Sequence, residues 1–328
     1  MKYDILFNLQ LFADMNTQVT TSEGMTGEMK KYYSDYLIDL VEPELIHDQF
    51  AQKHPIPKNG GKTIEFRQWD TLPEMTAPIT EGVTPDGQSL SMSTIEATVE
   101  QYGGYVTISD MLDLTAIDPV LLQATKAIAS QSGRSLDTIT REVLNGGTVV
   151  QYCEGQVTDR AQLAYTSAEE NHNLTVKAIK KAVRFLEGQD APKINGYYVG
   201  IIHPNCKFDL MDDPEWKRPH EYKDTEELYK GEIGELYGVR FVQSTRAKKF
   251  EGAGASGVDV YSTLILGDDA YGVTEIEGGG LEHIVKQRGS AGTADPLNQR
   301  ATCGWKATKV AELLVPQYIV RIETTATP

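Results

Sequence analysis

The chain has 328 residues and carries 31 Lys and Arg against 47 Asp and Glu, a formal charge of −16. That balance argues against direct gripping of nucleic acid, because phosphate contacts need clustered Lys and Arg. Three widely spaced cysteines (Cys153, Cys206, Cys303) make no disulfide framework and fit a reducing compartment, and no apolar run reaches the ~18 residues of a membrane span.

The N-terminal MKYDILFNLQLFAD has an apolar stretch broken by Asn8 and Gln10, with Asp4 in the region where a signal peptide is basic. No clean small-x-small cleavage site follows, so it reads as an apolar tail tip. Asn16–Thr26 is polar and small, which makes residues 1–26 an extended arm with a sticky end. In that tip Phe7, Leu11 and Phe12 are candidate contacts to another chain. Glu28–Val41 places Met29, Tyr32, Tyr33, Tyr36, Leu37 and Leu40 on a helical stripe that Pro43 disturbs. Tyr32 and Tyr36 are candidate interface anchors, with ordinary amphipathic packing as the plain alternative.

Lys62–Trp69 alternates Ile64 and Phe66 with Glu65 and Arg67, and Thr94–Ile108 alternates Ile95, Ala97 and Val99 with polar residues. This is the period of strands with one buried face. Asp70–Met92 between them carries Pro73, Pro78, Gly82, Pro85 and Gly87. Structureless loops become uncommon beyond about 12–15 residues. A two-stranded arm is marginal alone, so the sequence predicts an arm that lies on a neighbouring copy. Ile64, Phe66, Trp69, Glu81, Val83, Ile95, Val99 and Tyr102 are its candidate contacts.

Asp118-Pro119 predicts an N-cap and first helical residue, and Leu121, Ala124, Ile128, Leu136, Ile139 and Val143 continue the helical spacing to Asn145-Gly146-Gly147. Gly133 is a candidate bend. Thr175 is predicted to cap a shorter helix with Ile179, Ala182, Val183 and Leu186 on one face and Gly188 as its stop. Strands are predicted at Gly147–Gly155, Tyr197–Ile202, Gly238–Ser244, Val258–Leu266, Leu281–Val285, Thr308–Leu314 and Tyr318–Ile322, with a helical turn at Asn205–Met211. Elements alternate without βαβ regularity, which points to α+β.

Gly252-Ala-Gly254-Ala-Ser-Gly257 matches the dinucleotide fingerprint by letter, but a basic run precedes it and a predicted strand follows, where the mechanism needs a helix. His203 and Cys206 are two potential ligands without the further pair that a structural zinc site needs. Asp212-Asp213 and Asp268-Asp269 read as turns. No catalytic, cofactor or metal residues emerge, and the chain reads as no enzyme.

Several strings in order carry a resemblance: Asn8-Leu-Gln-Leu-Phe-Ala13, Glu81-Gly-Val-Thr-Pro-Asp-Gly87, Gln101-Tyr-Gly-Gly-Tyr105 with Ser109-Asp110, and Gly231-Glu-Ile-Gly234 running to Ser244. Together they resemble the podovirus-like major capsid proteins of tailed bacteriophages, of the Hong Kong 97-type fold. The resemblance covers nearly the whole chain. It implies an N-terminal arm and first helix over 1–55, an extended loop over 56–108 and a peripheral domain over 109–172 with its spine helix at 119–144. An axial domain over 173–272 and a return to the peripheral domain over 273–328 complete the arrangement. It further implies hexamers and pentamers of an icosahedral shell, assembled in the host bacterial cytoplasm around double-stranded DNA without sequence-specific binding. A separate scaffold protein or none, portal and decoration proteins would be further partners, with no membrane. Lys58 and Lys62 sit at the arm's base, which argues against a Lys–Asn cross-link. The rival readings are a nucleotide-binding oxidoreductase using Gly252–Gly257 and a tail-tube or decoration protein.

Overall fold

The computed structural model describes residues 45–55, 62–69, 72–79, 81–82, 84, 87–115, 120–153, 157–165, 172–216, 234–275, 281–290 and 295–327. The expectations for residues 1–44, Val83, Asp118 and Pro119 lie outside these, and Trp69 is described by its backbone alone. The strands in chain order are β1 (Gln52–His54), β2 (Thr63–Trp69), β3 (Met92–Thr98), β4 (Glu100–Ser109), β5 (Val150–Tyr152), β6 (Tyr198–Ile202), β7 (Glu235–Leu236) and β8 (Val239–Gln243). They continue with β9 (Lys249–Phe250), β10 (Val260–Leu266), β11 (Tyr271–Thr274), β12 (Leu281–Lys286), β13 (Arg300–Lys309), β14 (Ala311–Leu313) and β15 (Ile319–Thr324). Helices span Asp110–Thr115, Val120–Asn145, Val176–Gly188 and Pro204–Asp212.

The largest sheet runs β5-β15-β10-β6-β8-β7, with β9 paired to β10. Every residue of β6 and β10 is buried, because both faces are covered. Tyr198, Ile202, Tyr261 and Ile265 point to one side, where they meet Ile179, Ala182 and Leu186 of helix Val176–Gly188. Ile201, Leu264 and Leu266 point to the other, against Leu144, Tyr271 and Val273. The period of two thus splits one apolar run between two cores. Thr175 caps that helix as the sequence predicts, its side chain accepting from Ala178 N at 3.3 Å.

A second sheet, β12-β13-β4, lies on helix Val120–Asn145. Its strands β13 and β4 pair over ten positions, from Arg300↔Ser109 to Lys309↔Glu100. Cys303, Trp305 and Ala307 pack on Ile128, Ala129 and Leu136. The helix continues unbroken through Gly133 over 26 residues, roughly 40 Å at 1.5 Å per residue. Leu136 belongs to the core under this sheet and Leu144 to the core under the large one, so one rod joins the two. The small sheet β1-β11-β14 fills the space beside that junction.

The expected single strand Thr94–Ile108 is two strands in two sheets. β3 pairs β2 in a hairpin, while β4 pairs β13. Val99 N donates to Lys62 O at 2.7 Å and closes the hairpin between them. The β2–β3 hairpin therefore ends at Val99, and Tyr102 belongs to the second sheet, where it packs partly buried beside the long helix.

Candidate assembly surface

The β2–β3 hairpin is anchored at its root and exposed at its tip. Ile64, Phe66 and Ala97 are buried together, with Ile95, Val99, Val310 and Leu314 packed around them. Phe66 is 1 % exposed; its ring lies edge-on to His54 with centroids 4.8 Å apart. A Cβ on Gly272 would stand 2.3 Å from the Phe66 ring, so glycine is required there for the hairpin to seat. Ile64 and Phe66 are thus buried within their own chain. This corrects their assignment to a neighbour: the sheet's period turns them toward β14, and Ile95 and Val99 border the same cluster.

The tip differs. Leu72, Met75, Ile79 and Leu90 are 44 %, 65 %, 74 % and 67 % exposed, and Glu81 is exposed beside them. Four large apolar side chains held in water on one protruding segment are costly unless another surface covers them.

The chain just ahead of the hairpin is fixed by a buried polar cluster that the sequence reading missed. His47 and Asp48 lie on a 3-10 turn, Ile46–Asp48, beneath the long helix. His47 engages Asp137 through its backbone N–H and its Nδ1, each at 2.9 Å. Asp48 accepts from Thr140 and from the ammonium of Lys309, which also donates to Leu136 O at 3.0 Å. Tyr271 donates its hydroxyl to His47 O. Burial alone would raise the Asp137 carboxyl, but the His47 contacts, with Arg246 at 3.7 Å, outweigh it and hold it below the usual carboxylate range. Buried charges persist where they are paired, and this set ties the segment before β1 to the long helix, β13 and β11. A signal was present in the sequence: Ser132, Asp137 and Thr140 interrupt the helix's apolar face, and all three are buried.

The opposite face of sheet β12-β13-β4 holds a trough of about 680 Å³ lined by Tyr105, Ile284, Thr302, Gly304 and Lys306 among others. Tyr105 is 75 % exposed there.

The remaining motifs are structural. Gly254 N donates to Val258 O and Ala255 N to Leu163 O, and a Cβ on Gly254 would meet Leu163 O at 2.6 Å. The Gly252–Gly257 string therefore forms a tight turn between β9 and β10, with no helix N-terminus to receive a pyrophosphate. His203 caps helix Pro204–Asp212 by accepting from Asn205 N at 3.2 Å, while Cys206 turns into the core. The carboxylate of Asp213 accepts from Val176 N at 2.9 Å, a cap for the neighbouring helix.

A family model described as phage capsid protein matches residues 92–320. No curated protein matches the chain. Among solved structures the chain is similar to the capsid of Ralstonia phage GP4, at 13 % identity and a TM-score of 0.61, covering 86 % of each chain. It is also similar to the capsid of cyanophage P-SCSP1u, at 12 % identity and a TM-score of 0.63, covering 85 % of this chain and 87 % of that one. Cyanophage Pam1 capsid gives 16 % identity and a TM-score of 0.61 over 88 % and 93 %. The matched span includes the long helix, the β4–β13 ladder and the large sheet up to the first two residues of β15, the elements that set the architecture. The chain belongs to the phage capsid protein family: it is a structural capsid subunit of the tailed-phage type, with the Hong Kong 97-type α+β fold.

Proposed function

We propose that copies of this chain form hexamers and pentamers of a closed icosahedral shell around double-stranded DNA, assembled in the cytoplasm of a bacterial host. The β2–β3 hairpin acts as the extended loop that overlies the next copy. The large sheet with helix Val176–Gly188 is the axial domain, and the long helix with β4, β12 and β13 is the peripheral domain. The apolar arm tip (Phe7, Leu11, Phe12), Tyr32, Tyr36, Trp69, Glu81 and Val83 contribute further contacts between copies. A separate scaffold protein or none, with portal and decoration proteins, completes the set of partners this role admits. The role is mechanical, with no catalysis and no cofactor.

One observation carries this reading: an exposed apolar tip on a root locked into its own chain. Such a hairpin is oriented before assembly and leaves only its tip to be covered, which lowers the ordering cost of association. The test replaces residues 70–91 with a two-residue Asn-Gly turn joining Trp69 to Met92, which face each other at the end of the β2–β3 ladder. The shortened chain is expected to stay folded and soluble and to form no closed particles by electron microscopy. Normal shells would overturn the assignment.

A further inference from the structure

We propose that the groove between edge strand β5 and helix Val176–Gly188 receives the acidic run Asp224–Glu235 of a second copy. This rests on the shell-subunit reading above and names one contact that would set the direction of the ring.

The groove consists of two adjoining hollows of about 390 Å³ and 440 Å³ that share Gln151, Tyr152, Cys153, Lys181 and Arg184. Lys177 and Lys180 complete the basic lining, and no carboxylate lines either hollow among the described residues. Lys177, Lys181 and Arg184 recur at i, i+4 and i+7, which puts them on one stripe of the helix, and all three are exposed. In a chain of net charge −16, the stripe Lys177, Lys181 and Arg184, beside a Lys180 held by Glu215 at 2.6 Å, marks a place suited to an anion.

Beside that stripe β5 ends the sheet. It pairs β15 on one side, and among the described residues no strand lies on the other. A sheet edge with no further strand among the described residues, flanked by cations, suits an extended acidic polypeptide, which adds main-chain hydrogen bonds to charge pairing. A phosphate backbone would use the cations and leave the edge unused.

The same sheet supplies the complement. Its far end is β7, and the sequence leading into and through its first residue is Asp224–Glu235, with Asp224, Glu226, Glu227, Glu232 and Glu235 against the single Lys230. One sheet thus carries cations beside one edge strand, and the acidic run leads in sequence into the strand at the other edge. In a ring of identical copies each contact joins two different patches, so opposite ends of one sheet are natural partners. Like-charge juxtaposition disfavours the reversed arrangement.

The experiment uses two full-length variants, X with K181E and R184E and Y with E226K and E227K, in ring and particle assays by native mass spectrometry and electron microscopy. X alone and Y alone are each expected to lose about tenfold or more in ring yield, with melting temperatures near that of the parent chain. Mixed in equal amounts they should form even-membered rings of alternating X and Y, since each junction then pairs opposite charges. A chain with all four substitutions should form rings by itself. The proposal is overturned if X or Y assembles like the parent, or if the mixture stays monomeric. It is equally overturned if the fourfold variant is rescued and the mixture is not, which would place the contact within one chain. Normal X rings that retain less DNA would also overturn it, in favour of a polynucleotide. A parent chain that forms no rings would instead overturn the shell reading, and this inference with it.

Discussion

His47 and Asp137 meet in full burial: the His47 backbone N–H and ring Nδ1 reach the two oxygens of one carboxylate, both at 2.9 Å. Ninety residues separate them in the chain, so the pair is a clasp between the segment ahead of the hairpin and the middle of the long helix. Arg246, reaching across from the segment after β8, adds 3.0 Å and 2.8 Å bonds to Arg134 O and Thr138 Oγ1 on the same helix. Two separate stretches of chain therefore converge on one carboxylate and its helix.

Removing the charge from that carboxylate should be severe. Asp137→Asn leaves His47 and Arg246 without their anion in a closed site, and breaking one partner of a buried pair costs about 3–5 kcal/mol. The loss is to be read by urea unfolding at pH 7, with Lys181→Ala as a surface control that changes little. The pH dependence has a definite sign. A carboxyl held low in the folded chain contributes stability that is fully present above its unfolded value, about 3.9. That contribution disappears as pH falls through the lower, folded value. The parent should therefore lose stability on acidification below about pH 4, and Asp137→Asn should lose measurably less over the same range. Parallel acid limbs in the two chains would refute the clasp's electrostatic role.

The root of the hairpin should behave as part of the core. Phe66→Ala removes a ring 1 % exposed, a change that costs about 3–5 kcal/mol in buried sites. Gly272→Ala reaches the same end from the other side, since its Cβ would stand 2.3 Å from that ring. Both variants are expected to expose 62–99 to limited proteolysis while the large sheet stays resistant, and to assemble poorly. Proteolysis at parental rates in both would show that the root needs neither group.

Much of this was legible in the residues. Thr175 and the face Ile179, Ala182, Val183 and Leu186 are local signals, a cap and a helical period, and the structure agrees with them. The α+β class followed from elements that alternate without βαβ regularity, and the shell fold from ordered strings rather than from any single one. The boundary at Val99 was hidden because alternation continues from Ile95 through Val99 while the partner strand changes from β2 to β13, and partnership has no local signature. The direction of Ile64 and Phe66 was hidden for the same reason: period two identifies a buried face without naming what buries it. His47, Asp48 and Lys309 were unreadable because their pairing spans up to 261 residues of sequence. Ser132, Asp137 and Thr140 gave the only notice, as polar residues that interrupt the apolar face of the long helix.

Cys206 offers a probe of opening that needs no assembly. Its thiol is 0 % exposed, lies 3.8 Å from Thr324 Oγ1, and is pushed by burial up to about 12. Only the thiolate reacts quickly with an alkylating reagent, so a shift from 9.0 to about 12 leaves roughly a thousandfold less of it at pH 8. The strand and helix that enclose Cys206 belong to the core of the large sheet, so a reagent reaches it when that core opens. Iodoacetamide at pH 8 is therefore expected to leave Cys206 unmodified by mass spectrometry in native buffer and to label it fully in urea above the unfolding midpoint. Labelling in shells and in free subunits should be equally slow, because the protection lies within one chain. Rapid native labelling of Cys206 would show instead that helix Pro204–Asp212 opens independently of the sheet beneath it.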